Sequence, residues 1–214
     1  MNKKLLIIGC GSHSLIVREV AIANGYKDFE YLDTMNKNIE FFNNKKVIKE
    51  IPSNFNGDYF IAIGHNFYRE EVYLKFSKKN PKANLISLIH PKSYVSESSR
   101  IEEGVIILPM ATINTNVILK MGVLVNINCC IDHNSIMNQF SSLAPNTAIG
   151  GNVEIGKRTA VLIGAACISG VKLGNDVVIG AGSYVFSNIN DNSLSIGYPS
   201  KRIRYRTSEE NYMK

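Results

Sequence analysis

The chain has 214 residues, which allows one ordinary domain or two small ones. Its net charge of +6 is mild and spread among acids and asparagines, which does not favour a nucleic-acid partner. No apolar stretch approaches the roughly 18 residues that span a bilayer, and the apolar run at residues 5–8 is too short for a signal peptide. We therefore predict a cytoplasmic protein without membrane insertion, in which Cys10, Cys129, Cys130 and Cys167 are reduced and buried.

The first 84 residues alternate predicted strands with predicted helices. This alternation predicts a small Rossmann-like βαβαβ domain with a parallel sheet. The segment 34–57, rich in Asn and Lys, receives no assignment. The predicted elements, in chain order, are a strand at 4–9, a helix at 14–25, strands at 29–33 and 58–64, and a helix at 67–80.

Glycine-rich turns follow the predicted strands of this domain. The stretch "GCGSHS" (9–14) follows a strand and opens a helix, where backbone N–H groups favour an anionic phosphate, although Ser14 replaces the third glycine of a dinucleotide motif. A tight turn without a ligand remains an alternative. The candidate binding residues are Gly9, Gly11, Ser12, His13, Asp33, Gly64, Asn66 and Arg69.

From Ile89 the rhythm changes to a period of six. Every sixth residue from Ile89 to Val185 is aliphatic, Met or Cys, and the residue four places later is usually small or β-branched. This period predicts a solenoid of short parallel strands whose aliphatic residues stack inside. Glycines, asparagines and aspartates recur one place after the aliphatic residue, for example at Asn114, Asn126 and Gly150. We expect those positions to adopt positive φ at the corners.

This pattern resembles the hexapeptide-repeat acyltransferase superfamily. The resemblance implies a left-handed parallel β-helix over residues 85–214, with three hexapeptides per coil, assembled as a homotrimer with active sites between neighbouring subunits. Within the superfamily, "IDHNSIMNQFSSLAPNTAIGGNVEIG" (131–156) is similar to bacterial nucleotide-sugar N-acetyltransferases. The stretches "GCGSHSLIVREVA" (9–21), "IAIGHN" (61–66), "LIHPKSYVS" (88–96) and "GYPSKRIR" (197–204) resemble that family in order and spacing.

The resemblance implies an acetyl-CoA-dependent N-acetyltransferase acting on the 4-amino group of a nucleotide-linked 4-amino-4,6-dideoxy sugar. It identifies His133 as the general base, Asn126 as a neighbouring polar residue, and Gly151 as the donor of an oxyanion N–H. A neutral imidazole can take the amine proton, because imidazoles ordinarily titrate near about 6.5. His13 matches a histidine close to the nucleotide sugar.

Coenzyme A is expected in the groove between subunits. Gly164, Ala181 and Gly182 lie on its expected path, and Lys201 is a candidate for its phosphates. The same residues also suit ordinary repeat corners and a solvated tail.

Two positions depart from the family. Asn134 stands where the family has an acid after the histidine, and Ser142 replaces a second histidine near the acetyl carbonyl. We expect Asp132 to point off the opposite face of its strand, away from His133. A lone histidine without a carboxylate set argues against a metal site. A sialic-acid-type sugar O-acetyltransferase and a non-catalytic trimeric sugar-nucleotide-binding scaffold remain as alternatives.

Overall fold

A computed structural model describes residues 3–36 and 38–212 of the chain. The chain divides into two units, residues 1–88 and 89–214. The division lies four residues after the boundary expected at residue 84, because the strand at Asn84–Leu85 still pairs within the first sheet.

The first unit is an α/β layer built on a six-stranded sheet. The strand order is β3-β4-β2-β1-β5-β6, and the pairs are parallel except for β3 with β4. The helices begin and end within two residues of the predicted bounds. The elements are β1 Lys3–Ile8, α1 Ser12–Ala23, β2 Tyr26–Leu32, β3 Phe41–Phe42, β4 Lys45–Ile48, β5 Asp58–Ile61, α2 Asn66–Lys79 and β6 Asn84–Leu85.

The unassigned segment contains a hairpin. Strands β3 and β4 pair in antiparallel fashion around Asn43 and Asn44, whose φ angles are 50° and 61°. Two consecutive residues with positive φ form the kind of two-residue turn that matches strand twist, and asparagine tolerates it. The Asn-Asn pair was the sequence signal for this hairpin.

The second unit is a left-handed parallel β-helix with three faces. Face 1 contains β7 Leu88–Ile89, β10 Ile106–Ile107, β13 Leu124–Val125, β16 Ser142–Leu143, β19 Ala160–Val161 and β22 Val178–Ile179. Face 2 contains β8 Tyr94–Val95, β11 Thr112–Ile113, β14 Cys130–Ile131, β17 Ala148–Ile149, β20 Ala166–Cys167 and β23 Tyr184–Val185. Face 3 contains β9 Arg100–Ile101, β12 Ile118–Leu119, β15 Ile136–Met137, β18 Glu154–Ile155 and β21 Lys172–Leu173.

Strands pair with the strand of the next coil, 18 residues away, as Cys130 does with Ala148. This register confirms three hexapeptides per coil. The sixth-residue series from Ile107 to Val185 is buried, each side chain at most 4% exposed, and forms the core together with the small residues four places later. Two further strands, β24 Ser193–Gly197 and β25 Ser200–Tyr205, extend face 1 in an antiparallel hairpin.

The corners differ from the prediction. Positive φ occurs three residues after the aliphatic position, as at Asn116, Asn134 and Asn152, and not one residue after it. The expectation for the earlier position is therefore wrong. Two glycines at the earlier position have no space for a side chain: a Cβ on Gly150 would lie 2.7 Å from the Ser169 nitrogen, and one on Gly156 would lie 2.2 Å from the Gly174 oxygen.

The cysteines are free thiols. Cys129 and Cys167 point inward, and burial raises the pKa of Cys129 to about 11 and of Cys167 to about 12, so both remain protonated. Cys10 is also buried, but Cys130 is exposed, and its predicted burial is wrong. The reason is strand alternation, because the residue after an inward position points outward.

In the part of the chain that the structure describes, no helix is long and apolar enough to cross a bilayer. Over the same residues, no group of three or more His, Cys, Asp or Glu side chains is arranged to hold a metal ion.

Candidate active site

His133 lies at the corner between faces 2 and 3, which we call the 2/3 corner. This corner consists of residues 96–99, 114–117, 132–135, 150–153 and 168–171 in successive coils. The chain leaves β14 at the inward residue Ile131 and turns through four residues to β15, so the imidazole projects outward. The His133 side chain is 46% exposed, which leaves it accessible to a substrate.

Two neighbours in sequence flank the ring. Nδ2 of Asn134 lies 3.1 Å from Nδ1 of His133, and Oδ2 of Asp132 lies 3.8 Å from Nε2. The expectation that Asp132 points away is wrong. Strand alternation does not apply to it, because residue 132 already belongs to the corner.

The carboxylate of Asp132 is fixed by hydrogen bonds. Its Oδ1 accepts the backbone N–H of His133 at 2.8 Å and Nδ2 of Asn114 at 2.7 Å. These donors, in that order, lower the pKa of Asp132 below its ordinary value. A charged carboxylate therefore stands beside the ring at neutral pH.

Gly151 lies in the next coil, directly against the imidazole. A Cβ on Gly151 would lie 2.6 Å from both Cε1 and Nε2 of His133, so only glycine leaves room for the ring in this position. The N–H of Gly151 donates to Oγ of Ser169 at 3.1 Å. Sequence reasoning missed Ser169, although its place 18 residues after Gly151 follows from the coil period.

The structure does not bring Asn126 or Ser142 to His133 within one chain. Asn126 lies at the corner between faces 1 and 2, where its Oδ1 accepts the N–H of Ile127 at 2.8 Å, and β14 separates it from His133. Ser142 begins β16 on face 1, and β15 separates it from His133.

A groove runs over the outside of face 2 and ends at the 2/3 corner. Its volume is about 510 Å³, within the usual range of small-molecule sites. Small side chains form its floor over successive coils, with Tyr184 at one end, and Asp132 and Ser169 belong to its wall. The floor residues are Thr112, Cys130, Ala148 and Ala166.

Three residues on the expected coenzyme path lie at the corner between faces 1 and 2. Gly164 and Gly182 both have a φ of 66°, and a Cβ on either would contact nothing within 4 Å. Ala181 precedes Gly182 and is exposed. Lys201 lies on β25 with an exposed side chain. These positions are open to solvent, as a ligand path requires.

In the first unit, the glycine turn links β1 to α1. Gly9 is buried with a φ of 112°, and a Cβ there would lie 2.9 Å from the Ala62 oxygen. Helix α1 begins after Gly11 without a side-chain cap or an acidic residue in its first turn, so its N–H groups at Ser12 and His13 suit an anion. Gly11 and Ser12 are exposed.

His13 is neutral in this position. Burial and then the charge of Arg69 lower the pKa of His13 to about 4. Its buried Nε2 has no hydrogen-bond partner among the described residues.

The remaining candidate residues of the first unit form hydrogen bonds within the loops that follow the strands. Asp33 accepts the backbone N–H groups of Cys10, Met35 and Asn36 at 3.0, 2.9 and 2.9 Å, which organises the turns after β1 and β2. Arg69 is 3% exposed. Its guanidinium donates to the carbonyl oxygens of Ile63 and Gly64 and to Oδ1 of Asn66.

These loops meet at the carboxyl ends of β1, β2 and β5. In the order β4-β2-β1-β5-β6, the strands β2 and β4 lie on one side of β1, and the later strands β5 and β6 lie on the other side. The strand order therefore reverses between β1 and β5. Ligands of open α/β sheets bind at such points. The predicted residues after β1 and β5 are thus brought to one edge of the sheet.

Both units of the chain match known proteins. Residues 4–76 match the family described as PglD N-terminal domain. The acetyltransferase domain of PglB from Neisseria gonorrhoeae FA1090 is 29% identical, with a TM-score of 0.86 over 94% of this chain and 100% of that one. It has also been solved in complex with acetyl coenzyme A. PerB from Caulobacter crescentus, solved with CoA and GDP-perosamine, is 28% identical, with a TM-score of 0.83 over 93% of this chain and 96% of that one.

A serine acetyltransferase from Bacillus pumilus is 29% identical over 148 residues, which is 65% of this chain. The match spans 58% of that relative's own length. The three-faced β-helix, the histidine on its corner and these matches define a hexapeptide-repeat acetyltransferase. Within that class, the family model matches residues 4–76, and the PglB domain and PerB each match at least 93% of this chain.

Proposed function

We propose that the protein transfers the acetyl group of acetyl-CoA to the 4-amino group of a nucleotide-linked 4-amino-4,6-dideoxy sugar, with His133 as general base. The observation that carries this proposal is the packing of the Nε2 edge of His133 against Gly151 at the 2/3 corner. The similarity to PerB, over 93% of this chain, supports the acceptor class.

The chemistry requires a proton acceptor next to the attacking nitrogen. The amine forms a C–N bond with the thioester carbonyl carbon, and the nitrogen becomes cationic. His133 accepts a proton from it through Nε2, the C–S bond breaks, and the thiolate leaves. General base catalysis of this kind contributes on the order of 10²–10⁴ in rate.

The carbonyl oxygen gains negative charge during this attack. The backbone N–H of Gly151 is the donor next to Nε2 of His133, and it donates to Ser169 in the free chain. Oγ of Ser169 accepts this N–H in the free chain, and the thioester oxygen takes the place of the hydroxyl when it binds. A prearranged donor of this type avoids reorganisation during the reaction.

The residues of the second unit fit an extended thioester ligand. The groove on face 2 has small floor residues and ends at Asp132 beside the base. Gly164, Ala181 and Gly182 flank the same face without bulky side chains, and Lys201 offers a cation for phosphates. Acetyl-CoA supplies the activated acetyl group, and the chain positions its carbonyl and removes the proton.

The nucleotide part of the acceptor binds at the carboxyl edge of the first sheet. Gly9, Gly11 and Ser12 give the pyrophosphate a helix N-terminus, and neutral His13 provides a hydrogen-bonding group there. Gly64 and Asn66 are held by Arg69 as the opposite wall of this site. Asp33 contributes by fixing the turn that carries Cys10.

A homotrimer completes the site. Asn126 and Ser142 lie on corners and faces remote from His133 of the same chain, so they contribute to its chemistry only from a neighbouring copy. Mixed assemblies test this directly. Chains carrying His133→Ala and chains carrying Ser142→Trp should regain activity when refolded together, if each site uses His133 of one copy and Ser142 of the next.

The reaction is tested by thiol release from acetyl-CoA with a panel of UDP-, dTDP- and GDP-linked 4-amino-4,6-dideoxy sugars and their 4-hydroxy counterparts. We expect release only with an amino sugar, and a product that is heavier by one acetyl group on nitrogen. Release with the hydroxy sugars alone would identify an O-acetyltransferase. No release with any member would contradict the proposed acceptor class.

A further inference from the structure

A row of asparagines runs along the 2/3 corner beside His133. Asn116, Asn134 and Asn152 occupy the same position in successive coils, each with a φ of 57°. Nδ2 of Asn116 donates to Oδ1 of Asn134 at 3.3 Å, and Nδ2 of Asn134 donates to Oδ1 of Asn152 at 3.5 Å. The amides therefore point in one direction along the corner, and we call these three residues the asparagine row.

The middle amide of the row also contacts the imidazole. Nδ2 of Asn134 lies 3.1 Å from Nδ1 of His133. An amide NH₂ group only donates, so Nδ1 must present its lone pair. The proton of a neutral ring then resides on Nε2, the nitrogen that lies against Gly151 and 3.8 Å from Oδ2 of Asp132. With the row in this direction, Nε2 has no lone pair for the proton of an incoming amine.

The amides of the asparagine row can also point the opposite way along the corner, with the same number of hydrogen bonds. If all three amides turn over, Oδ1 of Asn134 accepts the proton of Nδ1, and Nδ2 of Asn134 donates to Asn116. Asn152 then donates to Oδ1 of Asn134. The neutral ring now carries its proton on Nδ1, and Nε2 is a free base directed at the substrate side.

We infer that the direction of the asparagine row selects the tautomer of His133, which makes Asn116, Asn134 and Asn152 positioning residues for the reaction. The inference rests on the proposed function, because it takes Nε2 of His133 as the base. A carboxylate after the histidine only accepts and would fix the proton on Nδ1 by itself. The Asn134 amide can direct either its oxygen or its nitrogen at the ring, so its neighbours in the row determine which of the two faces Nδ1 of His133.

Two matched substitutions separate the effect of the direction of the asparagine row from the effect of an added negative charge. Asn116→Asp places an acceptor before Asn134, which turns Nδ2 of Asn134 away from the ring and Oδ1 towards it. Asn152→Asp places an acceptor after Asn134 and holds the row as observed. Aspartate tolerates positive φ, so both should fold. Each adds one negative charge in a coil adjacent to His133, and Asp132, the charged group beside the ring, is unchanged in both.

Asn175→Asp serves as the control. Asn175 lies at the corner between faces 3 and 1, where its Oδ1 accepts the N–H of Lys157 at 2.8 Å. An aspartate accepts the same bond and adds the same charge at a different corner of the β-helix.

The experiment measures the ¹⁵N chemical shifts of the His133 ring in the full chain at about pH 8, where an ordinary imidazole is neutral, together with kcat for thiol release. We expect Asn116→Asp to move the proton to Nδ1 with kcat at or above that of the parent. We expect Asn152→Asp to retain the proton on Nε2 and to have a kcat about tenfold below that of Asn116→Asp, the worth of one hydrogen bond. Asn175→Asp should change neither quantity.

The two failures are distinguishable. Equal tautomer populations in the Asn116→Asp and Asn152→Asp proteins would overturn the role of the row, whatever the rates do. Tautomers that differ as expected, with no difference in kcat, would leave the row intact as a selector but would contradict its role in the reaction and the assignment of His133 as base.

Discussion

The 2/3 corner and the corner between faces 3 and 1 use the same backbone position in opposite ways. At the 3/1 corner, Arg158 and Asp176 have positive φ and form a pair, with Nε of Arg158 2.7 Å from Oδ1 of Asp176. Asp176 is 4% exposed, and its carbonyl accepts a hydrogen bond from buried Arg206. At the 2/3 corner, the equivalent residue Asn134 is exposed and contacts His133.

This difference shows how a repeat acquires a site without losing its core. The inward residues of both corners are aliphatic or small and buried, so the framework is the same. Only the outward residues differ. They form a partly buried ion pair that stabilises the 3/1 corner and an exposed polar set that can react at the 2/3 corner. Substitutions at the 2/3 corner should therefore change mainly activity, and substitutions at the 3/1 corner should change mainly stability.

The largest effect is expected from His133→Ala. Loss of the base should lower kcat for acetyl transfer by about 10²- to 10⁴-fold. The ring is exposed and adds little to packing, so the thermal midpoint should change little. Rate and thermal melting together check this prediction, and a fully active, equally stable variant would remove His133 from the chemistry.

At the other corner, Asp176→Asn should reduce stability and spare activity. It leaves the partly buried guanidinium of Arg158 without its charge partner, while asparagine still tolerates the positive φ. We expect a loss of about 1–3 kcal/mol in the free energy of unfolding, measured with urea, as when a buried polar group loses its hydrogen-bond partner. The rate per folded molecule should be unchanged. A loss of activity with normal stability would mean that this corner takes part in the reaction.

Gly151→Ala should act through the imidazole. The new Cβ would lie 2.6 Å from Nε2 and must displace the ring. We expect kcat to fall by roughly 10- to 100-fold, as for a misplaced catalytic group. A double-mutant cycle with His133→Ala checks the cause, because the glycine substitution should have little further effect once the ring is absent. Additive losses would point to a separate role for Gly151.

Asp132→Asn should have the smallest effect on the rate. Hydrogen bonds from the His133 backbone N–H and from Asn114 lower the pKa of Asp132, so its carboxylate is charged at neutral pH and lies 3.8 Å from Nε2 of His133. That charge stabilises the positive charge that the ring gains when it accepts the proton of the amine. We expect kcat to fall by roughly twofold to fivefold, as for an exposed ion pair. A kcat at or above that of the parent would remove Asp132 from the reaction.

The sequence predicted the coil of the second unit because one physical requirement, an inward aliphatic residue every sixth place, recurs at every side. The corner position three residues later was not predicted, because Met110, Phe140 and Arg158 occur there among the asparagines and obscure the pattern. The pairing of Arg158 with Asp176 follows only from the 18-residue coil, which the sequence gives through family resemblance.

The site was predicted unevenly for a similar reason. His133 and Gly151 were found through a motif, and the structure places them in contact. The prediction that Asp132 points away from His133 is wrong because residue 132 belongs to a corner, where strand alternation does not hold. The loop roles of Asp33 and Arg69 depend on backbone atoms of distant turns, which no pattern of side chains reveals.

The pH dependence of kcat/KM for thiol release, with the amino sugar that reacts best, tests the role of His133 most directly. If His133 is the base, kcat/KM should show an inflection between about 5.5 and 8, with the rate falling on the acid side as the base is protonated, and the residual rate of His133→Ala should show no such inflection. A flat profile over that range, or the same inflection in the alanine variant, would rule out His133 as the base.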